Sequence, residues 1–303
     1  MVAGSNPVAP TIFFSSFSRH SYLTFQGEFL VNDSRKTIIR SQPRGKVLRE
    51  KASTDRELLY YGQHICTALA KMRRSDIIRV YYTEERMKPL GELLRWCAKN
   101  RKAYHLVSGE ELERITGSVH HEGLAILATC PPLGSATELL ELLRLKPAPL
   151  VFLDDVQNPH NIGTIMRVMA NFGWPYLVGP GALPPLTAAA ARMSEGGAES
   201  VRMFACKDSK SLCRDLKAMG YRLYGTSSHA KDSLYAKPLV EKSVVIMGSE
   251  VEGMSPGMEA LMDEFLLIPG TGQVESLNVS VACGLLLGEY TRVHGLGPSR
   301  ALD

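Results

Sequence analysis

At 303 residues, with 45% hydrophobic and 22% charged residues, the chain has the size and composition of about two soluble globular domains. Its longest apolar run, Val279 to Gly288, is too short to span a bilayer, and six cysteines without a Cys-x-x-Cys pair or a nearby histidine cluster argue against structural zinc or a disulfide framework. What remains is a cytoplasmic protein with reduced thiols, no metal and no membrane segment. The net charge of +4 is unevenly placed, because residues 31–114 hold 19 Lys/Arg against 11 Asp/Glu and the rest of the chain is mildly acidic. A basic front module joined to a catalytic module that acts on a polyanion fits this balance, and ordinary solvated surface charge fits it too.

Residues 1–30 lack periodicity and carry no acidic residue before Glu28. Two readings are open for them. One is an organellar transit peptide, which should hold more arginine than the single Arg19. The other, favoured, is a start codon assigned too early, since Gly4-Ser5-Asn6-Pro7 is what the T-arm of a tRNA gene spells when translated. No fold is expected before about residue 50. From Asp55, the spacing of Leu58, Leu59, Gly62, Ile65, Cys66 and Leu69 predicts one helix. Strands are predicted at 77–82, 104–107 and 123–128, with helices around Leu90 to Cys97 and over Glu110–Ile115 between them. This alternation defines a small α/β domain over 51–130. Pro131, Pro132, Gly134, Pro147 and Pro149 then mark 131–148 as a linker holding a short helix at Thr137–Leu145. A second domain, 149–303, opens with the buried strand Leu150–Leu153 and continues through strands Val244–Met247 and Phe265–Ile268 to a last helix from about Ser276 to Val293. That order is a parallel α/β layout.

Three stretches of the second domain carry chemistry. In Asn158–Gly173, Asn161 is read as the N-cap of a helix from Ile162, with Ile162, Ile165, Met166, Met169 and Phe172 on its buried face. Arg167 falls nearly opposite, and the small Gly163 one turn earlier is read as leaving space beside the guanidinium for a ribose or phosphate. Gly248-Ser-Glu-Val-Glu-Gly253 follows a strand but is no dinucleotide loop, because Glu250 stands where a pyrophosphate would need glycine. In Ile268–Ser280, Ser276 is read as capping the terminal helix with Asn278 in its first turn, and Ser276, Ser280, Gly284 and Gly288 form a stripe of small residues.

Together the three motifs, over about residues 149–295, resemble the SpoU (TrmH) family of RNA ribose 2′-O-methyltransferases, within the SPOUT superfamily. Residues 51–130 are similar to the substrate-binding domain that many of its members carry. The resemblance implies a parallel α/β domain with a deep trefoil knot formed by the threaded C-terminal helix, a feature no sequence pattern shows by itself. It implies S-adenosylmethionine as methyl donor, structured tRNA or rRNA as substrate, and a homodimer built on the knotted domain. It places Arg167 at the catalytic arginine, with Asn161, Glu250, Ser276 and Asn278 completing the catalytic set. Thr226, Met247, Gly248, Ile268 and Leu277 are then expected to hold the cofactor, and Arg73, Arg74, Arg101 and Lys102 to meet RNA phosphates. Two departures from the family pattern stand out. Gly270 replaces the usual methionine after Ile-Pro, and Glu195 with paired glycines replaces the commoner Ser-Ala-Gly-Ala in Arg192–Glu199. The alternative reading is a non-catalytic RNA-binding or assembly factor that retains the fold.

Overall fold

A computed structural model of the chain describes residues 57–181, 186–249 and 252–296. The expectations for residues 1–50 and for Glu250 lie outside these residues. The described residues fall within one compact unit, Glu50–Asp303, which contains two sheets.

Gly62 corrects the first expected helix. Its φ of +100° is a backbone state open mainly to glycine, and it breaks the apolar run in two. Ahead of it, Glu57–Tyr61 forms strand β1, suited to the aromatic and branched character of Leu58-Leu59-Tyr60-Tyr61. Behind it, Gln63–Met72 forms helix α1. The remaining elements of the small sheet fall close to expectation: β2 (Ile77–Tyr82), α2 (Gly91–Lys99), β3 (Ala103–Leu106), α3 (Gly109–Thr116) and β4 (Leu124–Thr129). The sheet order is β1-β4-β2-β3, with β4 antiparallel to both neighbours and β3 parallel to β2 across the α2 crossover. Tyr60, Val80 and Ile126 pack on Ile65 and Leu69 of α1 and on Leu93 and Cys97 of α2.

The segment read as a linker is built into the second sheet. Gly134–Ser135 forms β5, parallel to β8 (Arg202–Cys206), at the sheet's edge. A Cβ at Gly134 would stand 2.4 Å from a ring carbon of Phe204, so glycine is what lets the strand lie there. Ser135 caps α4 (Ala136–Leu145) by accepting from the Glu138 amide, and Leu139 and Leu143 are buried. An amphipathic helix needs a surface to cover, and α4 covers the sheet rather than spanning a gap.

The larger sheet also contains β6 (Leu150–Asp154), β7 (Tyr176–Pro180), β9 (Arg222–Thr226), β10 (Asp232–Ser233), β11 (Ser243–Gly248) and β12 (Glu264–Leu267). Its order is β10-β12-β9-β11-β6-β7-β8-β5, and all neighbouring strands among the described residues pair parallel. Alternate residues of β6 enter opposite cores, Val151 and Leu153 one, Leu150 and Phe152 the other, which is why the strand reads as an unbroken apolar run. The first core is closed by α5 (Pro159–Phe172) and α9 (Val279–His294), the second by α4, α7 (Ser209–Ala218) and the short α8 (Pro256–Glu259). From β6 the chain steps outward to β7 and β8, then crosses to β9 and returns at β11 beside β6. Order therefore reverses between β6 and β11, and open parallel sheets bind ligands at the carboxyl ends of the strands flanking such a reversal. No described helix is long and apolar enough to cross a membrane.

Gly163 serves packing. It lies against α6 (Ala188–Met193), where a Cβ would stand 2.3 Å from the Ala190 carbonyl oxygen and 2.7 Å from Met193 Cβ. The space that the sequence assigned to substrate is filled by α6. Gly163→Val should force α5 and α6 apart and destabilise the fold by about 1–3 kcal/mol, the usual range for overpacking a close contact. A urea unfolding midpoint equal to wild type would contradict this. Gly284 and Gly288, from the stripe of small residues, face Val168 and Phe172 of α5 at 3.9 and 3.7 Å from a built Cβ.

Candidate active site

The start of α5 corrects the expected cap. Asn158 caps it, with Oδ1 accepting from the His160 amide at 3.0 Å, and Pro159 takes the first helical position where its missing N–H is no loss. Asn161 sits in the first turn, 9% exposed, and its Oδ1 accepts from Asn278 Nδ2 at 3.1 Å. Asn278 is the cap of α9: its Oδ1 accepts from the Ser280 amide at 2.9 Å and from Ser280 Oγ at 2.6 Å. Ser276 lies exposed before the helix and does not cap it. Both errors have one cause, a second cap-competent residue within three positions of the true one. Asn278 thus joins the N-termini of two helices, both of which gather positive potential. Asn278→Ala should remove a cap and an inter-helix bond, lowering stability by about 1 kcal/mol from the cap alone. Thermal denaturation unchanged from wild type would contradict that role.

The residues expected at the cofactor gather where the sheet order reverses. Thr226 ends β9, Gly248 ends β11 and Ile268 directly follows β12, three neighbouring strands, with Met247 buried beneath. A Cβ at Gly248 would stand 2.4 Å from the Gly253 carbonyl carbon, and Ser249 and Gly253 bridge each other, so the loop folds tightly back on its strand. Asp154, at the end of β6 and 9% exposed, accepts from the Ser255 amide at 2.7 Å. Sequence reasoning missed it because a lone aspartate after an apolar strand looks like any strand end. Leu277 is 45% exposed and presents apolar surface ahead of α9. Asp154 pairs in register with Gly248, so a carboxylate stands beside these strand ends. At Gly270 a built Cβ would meet nothing within 4 Å, so close packing does not require glycine there.

Arg167 is exposed on α5, and among the described residues none hydrogen-bonds or ion-pairs with its guanidinium. It lines a cleft of about 330 Å³ with His64, Ala170, Asn171, Ser194, Glu195 and Gly197. No hydrogen bond links it to Asn161, Ser276 or Asn278, so one chain holds Arg167 in this cleft and the Asn161–Asn278 pair at the helix ends. His64 comes from the small sheet's α1, which periodicity marked only as a helix flank.

The expected phosphate contacts divide. Arg73 turns inward, with Nε 2.5 Å from Glu199 Oε2 and Nη2 3.0 Å from Oε1. It also donates to Asp76, the Thr129 carbonyl and Tyr60 Oη. Burial works against its charge, yet the bonds and charge of Glu199 outweigh it and hold the guanidinium above its ordinary range. Arg74 donates to Glu92 and the Ala70 carbonyl, and Lys102 Nζ donates to the Ser75 carbonyl at 3.2 Å. Arg101 alone of the four is exposed with no partner among the described residues. The physical reason is that an arginine next to a buried carboxylate loses its hydration and gains two matched bonds.

With this geometry in place, the similarity to known proteins is specific. Residues 148–288 match the SpoU rRNA methylase family and residues 59–133 match the RNA 2′-O ribose methyltransferase substrate-binding domain. An uncharacterized tRNA/rRNA methyltransferase, YfiF, of Escherichia coli O157:H7 is 34% identical over 247 residues, covering 82% of this chain and 71% of its own. A 23S rRNA (guanosine-2′-O-)-methyltransferase of Nitrosomonas europaea is 30% identical over 237 residues, covering 77% and 91%. The fold is shared with an rRNA methyltransferase from Sinorhizobium meliloti solved with S-adenosylmethionine bound, at a TM-score of 0.67, 18% identity and coverage of 79% and 88%. The chain belongs to the SpoU family of RNA ribose 2′-O-methyltransferases.

Proposed function

We propose that this protein methylates the ribose 2′-hydroxyl of a guanosine in structured RNA, with ribosomal RNA the first substrate to test. The observation that carries the reading is Arg167: a guanidinium on the motif helix, open to a cleft and unpaired by any described residue. The named activity of the Nitrosomonas europaea relative supports guanosine and ribosomal RNA. The catalytic set is Arg167, Asn161, Glu250, Ser276 and Asn278, the cofactor wall is Thr226, Met247, Gly248, Ile268 and Leu277, and Arg101 is the RNA contact among the basic residues singled out. The protein acts as a homodimer in the cytoplasm, with α9 threaded as a knot. The small sheet binds folded RNA by backbone and shape.

S-adenosylmethionine, when bound, supplies an electrophilic methyl group. The chain's own contribution is alignment, which removes most of the entropic barrier to an in-line attack. Arg167 acts as a planar cation. It stabilises the alkoxide that develops at the 2′-oxygen and binds the adjoining phosphate. The proton passes to water or to a substrate phosphate. Nucleoside analysis of ribosomal RNA from cells with and without the gene tests the reading. Loss of one 2′-O-methylguanosine on deletion is expected, and an unchanged modification profile in both ribosomal and transfer RNA would overturn it.

A further inference from the structure

The departure at Glu195-Gly196-Gly197 has a structural cause. A Cβ at Gly196 would stand 2.9 Å from Ala68 Cβ of α1, and one at Gly197 would stand 2.8 Å from the Met166 carbonyl oxygen and 2.9 Å from Arg167 Cα of α5. The turn is wedged between the two helices, and only paired glycines fit. Both ends are pinned. Ser194 Oγ donates to the Ala191 carbonyl at 2.6 Å and accepts from the Ala198 amide at 3.1 Å, while Glu199 is held by Arg73. Glu195 itself is held at φ +50°, an uncommon state for a side-chain-bearing residue. It is exposed, and among the described residues no group donates to its carboxylate.

Glu195 and Arg167 line the same cleft yet form no ion pair within 4.0 Å. Each is left to a ligand. Arg167 suits phosphate or a developing alkoxide, whereas a carboxylate repels phosphate and only accepts hydrogen bonds. Its ligand is therefore a base edge rich in N–H donors. Of the four RNA bases, guanine alone offers two adjacent donors, N1–H and the N2 amino group, to match the two carboxylate oxygens. An unstacked base is read on this edge when it leaves its helix, and it is held by stacking on a ring such as the His64 imidazole across the cleft. The nearby Glu122 is already engaged by the Gln63 amide at 2.7 Å and does not compete.

We propose that Glu195 is the specificity-determining residue of this enzyme, its carboxylate accepting from N1–H and N2–H of the target guanine beside Arg167, with His64 as the stacking wall. The inference rests on the methyltransferase reading above and adds the residue that selects the base. The test has two arms on the full chain. In the first, guanosine, adenosine, cytidine and uridine 5′-monophosphates are titrated against wild type and Glu195→Gln, and the His64 ring resonances are followed. Binding of the guanosine nucleotide alone is expected, weakened roughly 10- to 100-fold in Glu195→Gln, the range of one bidentate base contact. Equal binding of all four, no binding of any, or an undiminished response in the variant would overturn the proposal whether or not methyl transfer occurs. In the second, methyl transfer to RNA is followed with each protein. A similar loss in kcat/KM with unchanged S-adenosylmethionine affinity is expected. A variant that transfers methyl groups at the wild-type rate would overturn the role of Glu195 and leave the methyltransferase reading intact.

Discussion

Replacing Arg167 by alanine should lower the rate of methyl transfer by about 10²–10³-fold, the usual loss when one preorganised charge-stabilising group is removed. Folding should be untouched, because the side chain is exposed and holds no described partner. S-adenosylmethionine affinity should also be unchanged, because the expected cofactor wall lies at the ends of β9, β11 and β12 rather than in the Arg167 cleft. Single-turnover methyl transfer with calorimetry of cofactor binding separates the two effects. Arg167→Lys sharpens the test. Lysine keeps the positive charge but loses the planar fork, so partial activity is expected if charge is the main contribution. A lysine variant near wild-type rate with an unshifted pH–rate profile would exclude proton abstraction by Arg167.

The second large effect lies away from the chemistry. Arg73→Ala should destabilise the protein by about 3–5 kcal/mol, because it strands a carboxylate in the interior. The Glu199 side chain is 1% exposed, and Arg73 donates to both of its oxygens. The pair bridges the small sheet's α1 end to the turn after α6, so its loss also frees the Glu195 turn. A double replacement, Arg73→Met with Glu199→Leu, should recover most of the loss, since apolar residues of similar volume often substitute for a buried ion pair at little cost. Urea unfolding of the three proteins decides this. A single variant as stable as wild type would mean that water reaches Glu199.

The contrast between these two arginines shows what sequence patterns carry. Arg167 is legible because its motif fixes a helix and a side. Arg73 is not, because its partner lies 126 positions away and an inward arginine looks in sequence like a surface one. Strands β6, β11 and β12 of the larger sheet were readable as apolar runs, and β6 and β11, buried on both faces, have no polar alternation to confuse them. Helix α2 and strands β2 to β4 followed for similar local reasons. The small sheet's first strand was hidden by a chance helical spacing that ran across Gly62. Prolines around 131–149 marked a boundary, but only tertiary packing shows that β5 and α4 complete the larger sheet. Close contacts are what sequence hides most, and Gly163 alone was given another reading. Gly163 and the Gly196-Gly197 pair are each small because another segment's backbone or Cβ lies under 3 Å from a built Cβ, a fact that no single-segment pattern contains.

The central claim is that the chain is an active RNA ribose methyltransferase that relies on Arg167. The most direct measurement incubates the full chain and its Arg167→Ala variant with S-adenosylmethionine carrying a tritiated methyl group and total RNA from cells lacking the gene. The account predicts label in RNA with wild type, in an alkali-resistant 2′-O-methyl linkage, and little or none with the variant. Label in a base, or equal incorporation by both proteins, would contradict it.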